Sequence, residues 1–239
     1  MACFADLPSE VVDSVLEHLD QGSLSSTAIV ASSLQYPSER VMYRIVKFRL
    51  FHGLPSKDQT TPAQVAFLRT VSLSERRARY VNLLSMTEID YEGEERAARF
   101  QELEKAMRLM VNLDQLSILG AAHLQYARLE SATFSLTHLF IHPSYSPGDP
   151  DTNNALIPIL KAHPMLKWLS LHGVWSFSED DAAAIEEQKC GVEERSSSVL
   201  CPRLEYVDSS REEILQSLFF GRRLKHAFLI RNTDRAGVR

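Results

Sequence analysis

The hydrophobic and polar positions along this chain fall into two regimes. From residue 6 to residue 48 the apolar positions recur at helical spacing. Val11, Val12, Val15, Leu16 and Leu19 follow i, i+1, i+4, i+5 and i+8, one broad stripe that predicts a first helix over 7–19. Leu7 and Pro8 open it, and proline suits a first helical turn because its missing N–H has no partner to lose there. Glu10 and Asp13 favour the positive end of the helix dipole. After a turn at Asp20-Gln21-Gly22-Ser23, a second helix is expected from about Leu24 to Leu34, with Leu24, Ala28, Ile29 and Val30 apolar. Pro37 then opens a third over 38–46, carrying Val41, Met42, Ile45 and Val46. Three helices this short bury a poor core alone, so the surplus apolar surface packs on the following domain or on a partner.

Beyond residue 63 the pattern changes to a recurring Leu-x-x-Leu-x-Leu. Copies begin at Leu68, Leu113, Leu136 and Leu166, with weaker ones at Leu204 and Leu224. Their spacings run from 20 residues (Leu204 to Leu224) to 45 (Leu68 to Leu113), and the longest hides room for a degenerate copy at Leu84-x-x-Thr87-x-Ile89. Helix signals fall between the copies. Phe100, Leu103, Met107 and Met110 share one face of a segment over 94–110, and a second segment covers 154–162 with Pro158 early in it. Ser178-x-x-Asp181 and Ser210-x-x-Glu213 resemble capping boxes, the first before a helix over 182–189, and an insertion is placed around 189–198. Strand and helix alternating at this period predict an α/β chain with a parallel sheet, either a solenoid or an ordinary parallel-strand domain.

In such strands positions one, four and six point inward and the odd positions three, five and seven point to the other face. That face would carry Thr70, Gln115, His138, Trp168, Tyr206 and His226 at position three. Ser72, Ser117, Phe140, Ser170, Asp208 and Phe228 occupy position five, and Ser74, Leu119, His142, His172, Ser210 and Ile230 position seven. His138, Phe140, His142, Trp168, His172 and Tyr206 are the candidate binding residues, since Trp and Tyr on an open face are typical anchors. The alternative is that the chain's own loops cover them. Arg76, Arg77 and Arg79 read as a solvated face, as do Arg222, Arg223 and Lys225.

Composition narrows the chemistry. The 239 residues carry a formal charge of -5, which argues against a dedicated nucleic-acid binder. Cys3, Cys190 and Cys201 form no CxxC, so neither a disulfide framework nor a zinc ribbon is expected. The glycines are nowhere closer than Gly221 and Gly237, which leaves no P-loop, no dinucleotide fingerprint and no GxSxG elbow. His138 and His142 sit two pleats apart in a strand, too far to share one metal ion comfortably. No catalytic residue, metal or cofactor is expected. Neither a signal peptide nor an apolar run of about 20 residues is visible, so the chain reads as soluble and intracellular, with no membrane partner.

Within the helical module Leu7-Pro8-x-Glu10, then Val15, Leu16, Leu19 and Asp20, then Leu24, Ala28, Val30 and Ser32, and finally Tyr43, form a pattern that resembles the F-box. The match spans about 40 residues of the 239. Two features depart from it: Met42-Tyr43 stand where a tryptophan is usual, and Ser33-Leu34 where a basic pair often follows. The later repeats resemble the irregular leucine-rich repeats that follow an F-box in many substrate receptors.

The resemblance implies a short three-helix F-box-like module over 1–48, a linker over 49–62 and a leucine-rich-repeat-like solenoid over 63–239. It implies a Skp-family adaptor, and through it a cullin–RING ubiquitin ligase, bound at Leu7, Pro8, Val11, Val12, Val15, Leu16, Leu19, Leu24, Ile29, Val30 and Tyr43. The repeats would hold a target protein, and the compartment would be cytoplasmic or nuclear. A leucine-rich-repeat interaction protein acting outside a ligase is the alternative; a small hydrolase is a third class that no motif suggests. The chain stops soon after its last expected strand without an obvious capping helix, as in a short or truncated member.

Overall fold

The computed structural model describes residues 7–48, 57–86, 94–119, 129–142, 156–171, 201–209 and 224–229. Seven strands, β1 (Ile45–Lys47), β2 (Leu83–Met86), β3 (Gln115–Leu119), β4 (His138–His142), β5 (Trp168–Leu171), β6 (Tyr206–Ser209) and β7 (His226–Leu229), make one sheet in sequence order. Every pairing is parallel. Between them run α4 (Lys57–Ser72), α5 (Glu75–Tyr80), α6 (Glu94–Leu109) and α7 (Leu156–Ala162), and before them α1 (Ser9–Leu16), α2 (Gln21–Val30) and α3 (Ser32–Arg44).

The register explains the repeat. Val46, Leu84, Leu116, Leu139, Leu169, Val207 and Ala227 are paired strand to strand. All but Ala227 are buried, together with Leu113, Ile118, Leu136, Ile141, Leu166, Leu171 and Leu204. Against these aliphatics pack Phe67, Leu68 and Val71 of α4, Leu103, Ala106 and Met107 of α6, and Ile159 and Leu160 of α7.

Backbone bonds repeat with the side chains. The position-two carbonyls of Asn82, Asp114, Thr137, Lys167 and Glu205 each accept from two successive N–H groups of the following repeat, at 2.8–3.2 Å. At position one, the N–H groups of Val81, Leu113, Leu166 and Leu204 bond the carbonyl three residues back, closing a turn into each strand. Leu136 differs: its N–H points at Nδ1 of His163, at 3.4 Å. Nε2 of that buried ring donates to the Leu129 carbonyl at 3.0 Å, so His163 is neutral and ties the turn before β4 to the end of α7. Burial pushes its pKa below the ordinary 6.5, against the smaller opposing effect of the Leu129 bond.

Several sequence expectations are corrected. Residues 68–73 are not a strand: Phe67, Leu68 and Val71 form the buried stripe of α4, which starts at Lys57, inside the stretch expected as linker. Thr70 and Ser72 are therefore helical, and Ser74 caps α5 by accepting from the Arg77 N–H. The degenerate copy exists three residues earlier in register, as Val81-x-x-Leu84-x-Met86. α1 spans Ser9–Leu16, shorter than 7–19, with Pro8 as its N-cap. α2 begins at Gln21 because the Asp20 carboxylate accepts from the Ser23 N–H at 2.9 Å. Extended Ala31 breaks the chain, so α3 starts at Ser32 and carries Pro37 inside it. Ile45 and Val46 leave the helix to form β1, where β-branched side chains fit a pleated edge. Both capping-box candidates, the helix over 182–189 and the insertion around 189–198 lie outside the described residues.

Arg76 and Arg77 are not a solvated face. Their guanidinium groups donate to the two oxygens of Glu39, at 2.6 and 2.8 Å, and Glu39 on α3 is buried. Arg76 also lies over the Tyr36 ring at 4.1 Å, while Arg79 pairs with Glu75. This clamp and the chain path through β1 join the helical module to the sheet.

Two outcomes follow from this packing. Leu169→Ala removes the centre of the aliphatic row and should lower stability by about 2–5 kcal/mol in equilibrium urea unfolding. His163 has a folded pKa below its unfolded one, so the unfolded state binds more protons between the two values. Its contribution is complete above about pH 6.5 and is lost as the pH falls through the folded pKa. His163→Gln should flatten the fall in urea midpoint between about pH 6.5 and pH 5, leaving the part that His138 contributes with the same sign.

Candidate functional site

Two surfaces collect the candidate residues. In the helical module, Val12, Leu16 and Leu24 form the small core, backed by Leu19, Leu34, Val41 and Met42. Val12, Leu16 and Leu24 are buried within the chain, and Leu19 is partly buried beside them. Leu7 just before α1 and Val11 and Val15 on it, four residues apart, stay 39–44% exposed, and Ile29 and Val30 at the end of α2 are 84% and 85% exposed. A module this small cannot bury both faces of an apolar helix. Pro8 is exposed at the start of α1. Tyr43 is not on this surface: it is half-buried against the sheet core, 6.2 Å from the Phe67 ring, and burial raises its pKa.

The second surface is the sheet face opposite the aliphatic row. Strand register places Ile45, Leu83, Gln115, His138, Trp168, Tyr206 and His226 side by side. The last four are rings in a ladder. Centroids lie 6.2 Å apart from His138 to Trp168, 4.8 Å from Trp168 to Tyr206 and 5.1 Å from Tyr206 to His226, all within 25° of parallel. Phe140 flanks His138 at 6.4 Å and Trp168 at 6.2 Å. His138, Phe140, Trp168 and Tyr206 are half-buried and His226 is exposed. Each of the inner rings stacks against neighbours on both sides. His142 ends β4 beside Leu119, but its side chain lies outside the described set, as does all of His172.

Sequence spacing did not reveal how His138 is held. The Thr137 hydroxyl lies 2.7 Å from Oδ1 of Asp114 and 2.8 Å from Nδ1 of His138. A hydroxyl has one proton, and the carboxylate can only accept it, so Thr137 must accept from Nδ1–H. The neutral ring is the Nδ1–H tautomer, with Nε2 left as an acceptor. Burial holds the His138 pKa below 6.5, opposed by Asp114 and assisted by Lys167. A signal for this was available: Thr at position two beside His at position three, with Asp114 at position two of the previous repeat.

A polar cavity lies where the module meets the sheet, lined by Asp13, Arg40, Arg44, Arg79, Tyr80 and Asn82 among others. Its three arginines are each paired, with Asp13, Glu17 and Glu75. Among the described residues no group of three His, Cys, Asp or Glu side chains is placed to hold a metal ion, and no helix is long and apolar enough to cross a membrane. Cys201 is buried, its thiol donating to the carbonyls of Leu160 and His163 at 3.3 and 3.6 Å. No protein-family model matches the chain, and no curated protein matches it.

Thr137→Val tests the relay. Imidazole 15N chemical shifts should report the Nδ1–H tautomer of His138 in the parent protein and a loss of that bias in the variant. Stability should fall by about 1 kcal/mol, the usual net worth of one hydrogen bond.

Proposed function

We propose that this chain is a non-catalytic adaptor. Its helical module docks on the Skp-family adaptor of a cullin–RING ubiquitin ligase, and its sheet, a short leucine-rich-repeat solenoid, presents a target protein in the cytoplasm or nucleus. The observation that carries this reading is the exposed apolar residues Leu7, just before α1, and Val11 and Val15, on it, in a segment whose motif resembles the F-box. A stable monomer has no use for that row, and a helix docking in a groove does. The target side rests on the ladder of His138, Trp168 and Tyr206 with Phe140 beside it, a row of large rings on a face the aliphatic core does not use. Holding a target near the ligase raises the effective concentration of its lysines, so the chain itself supplies position and no chemistry.

One observation favours the second reading, an interaction module outside a ligase. Tyr43, the aromatic residue that stands near the usual tryptophan of the motif, packs against the sheet core and is half-buried there, so part of its ring is already used within the chain.

Quantitative binding to a purified Skp-family adaptor separates the two. Leu7→Ala combined with Val11→Ala removes exposed apolar carbons worth about 0.8 kcal/mol per methylene when buried. The double variant should keep its melting temperature and bind the adaptor at least about tenfold more weakly. No binding by the parent chain, or equal binding by the variant, favours the second reading.

A further inference from the structure

We propose that His163 is a proton-operated latch on the segment before β4: protonation of its ring releases residues 129–136 from the end of α7 while the sheet stays paired. The warrant is hydrogen-bond geometry at a buried ring, and it holds whether or not the chain is an adaptor. The imidazole spans two backbone groups of one segment. Nε2–H donates to the Leu129 carbonyl at 3.0 Å, and Nδ1 accepts from the Leu136 N–H at 3.4 Å. His163 has no exposed surface, and the Phe134 ring stacks on it at 5.7 Å. A second ring proton therefore has one place to go, Nδ1, where it meets the Leu136 N–H. Two donors then face each other in a site without water, and the ring or the N–H must move.

The neighbouring bonds decide that the segment moves and the sheet does not. The position-one N–H groups of Val81, Leu113, Leu166 and Leu204 bond backbone carbonyls, which no proton displaces at these pH values. Before β4 the ring supplies the acceptor instead. Thr137 and His138 are secured separately, because both their N–H groups bond the Asp114 carbonyl, at 2.8 and 3.2 Å, and β4 pairs with β3 and β5. Residues 129–136 rest on the buried side chains of Leu129, Phe134 and Leu136 and on the Thr133 hydroxyl, which donates to the Arg108 carbonyl at 3.0 Å. Release would bring the apolar side chains of Leu129 and Phe134 toward water beside β4.

Charge around the ring does little for an imidazolium. Of the cations on the elements packed against it, Lys161 on α7, Lys167 before β5 and Arg203 beyond Cys201 are exposed. Arg108 at the end of α6 pairs with Glu104, and Glu205 before β6 pairs with Lys225. The Cys201 thiol donates to the backbone carbonyls of Leu160 and His163. The Phe134 face favours a cation but cannot remove the donor opposite Nδ1. Burial holds the His163 pKa below 6.5, opposed by the Leu129 bond. The released ring regains the ordinary value of 6.5, so release is favoured increasingly as the pH falls below it.

The test is amide hydrogen exchange of the full chain, corrected for the intrinsic pH dependence of exchange and repeated in low urea. From about pH 7.5 to about pH 5 the protection of the Leu136 amide should fall at least about fivefold. At the lower pH it should lie at least about tenfold below that of Leu116 and Leu169, and about 1 M urea should leave it unchanged, as local opening exposes little surface. His163→Gln keeps a donor and an acceptor and gains no proton, so the fall at Leu136 should vanish whatever its starting level. His138→Phe removes the other histidine of this repeat and should retain the fall. The latch is overturned by an equal fall in His163→Gln, by its loss in His138→Phe, or by Leu136 protection that matches Leu116 and Leu169 and shares their urea dependence. If the glutamine variant does not fold, the parent chain decides. Leu136 exchange should rise below about pH 6.5 and level off where NMR shows the His163 ring to titrate, and a rise that continues unchanged past that point overturns the latch.

Discussion

The in-register parallel pairing of seven strands is the constraint on which this molecule depends. Because side chains alternate along a strand, one choice of register decides two surfaces at once. Aligning Leu84, Leu116, Leu139, Leu169 and Val207 places one aliphatic per strand in a continuous row under the helices. The same alignment puts His138, Trp168, Tyr206 and His226 in a row on the other face. A slip of one residue in a strand would turn its core aliphatics outward and its opposite-face side chains, such as His138 or Trp168, inward. The ladder is therefore a consequence of the core, and it is held as firmly as the core is.

The repeat was legible where three aliphatics per strand recurred at the same spacing, from Leu113 through Leu171. It failed at the start of the sheet for a physical reason. Leu68, Val71 and Leu73 fit the spacing of a strand, but Phe67, Leu68 and Val71 also fit one face of a helix, and a run of 16 residues from Lys57 to Ser72 favoured the helix. The true first strands carry Val46 and Leu84, with Tyr43 and Val81 in place of the first leucine, and sequence pattern alone gives such substitutions little weight. On the candidate surfaces, periodicity identified the rings of the ladder but not their contacts. That Val12, Leu16 and Leu24 point inward while Val11 and Val15 stay exposed depends on where α3 lies against α1, which no local pattern encodes.

Long-range polar contacts were the least legible. Glu39 is buried 37 residues before Arg76, and its two guanidinium partners become visible only when α3 and α5 are side by side. An unpaired carboxylate there would carry a large desolvation cost, so the clamp permits the burial and at the same time selects one packing of the helices. His163 acts in the same way within the repeats. Leu136 lacks the turn that satisfies the N–H of Val81, Leu113, Leu166 and Leu204, and an imidazole from the next repeat stands in for the missing carbonyl.

The passage from α3 directly into β1 has a mechanical consequence. Arg44 ends the helix and Ile45 begins the strand, with no residue between them to act as a hinge. Torque applied to the helical module is then transmitted to the sheet edge through a continuous backbone and through the Glu39 clamp. A body gripped on α1 and a body gripped on the ring ladder would keep a set distance and bearing, as on a bracket, and any swing needed between them would have to come from the bodies themselves.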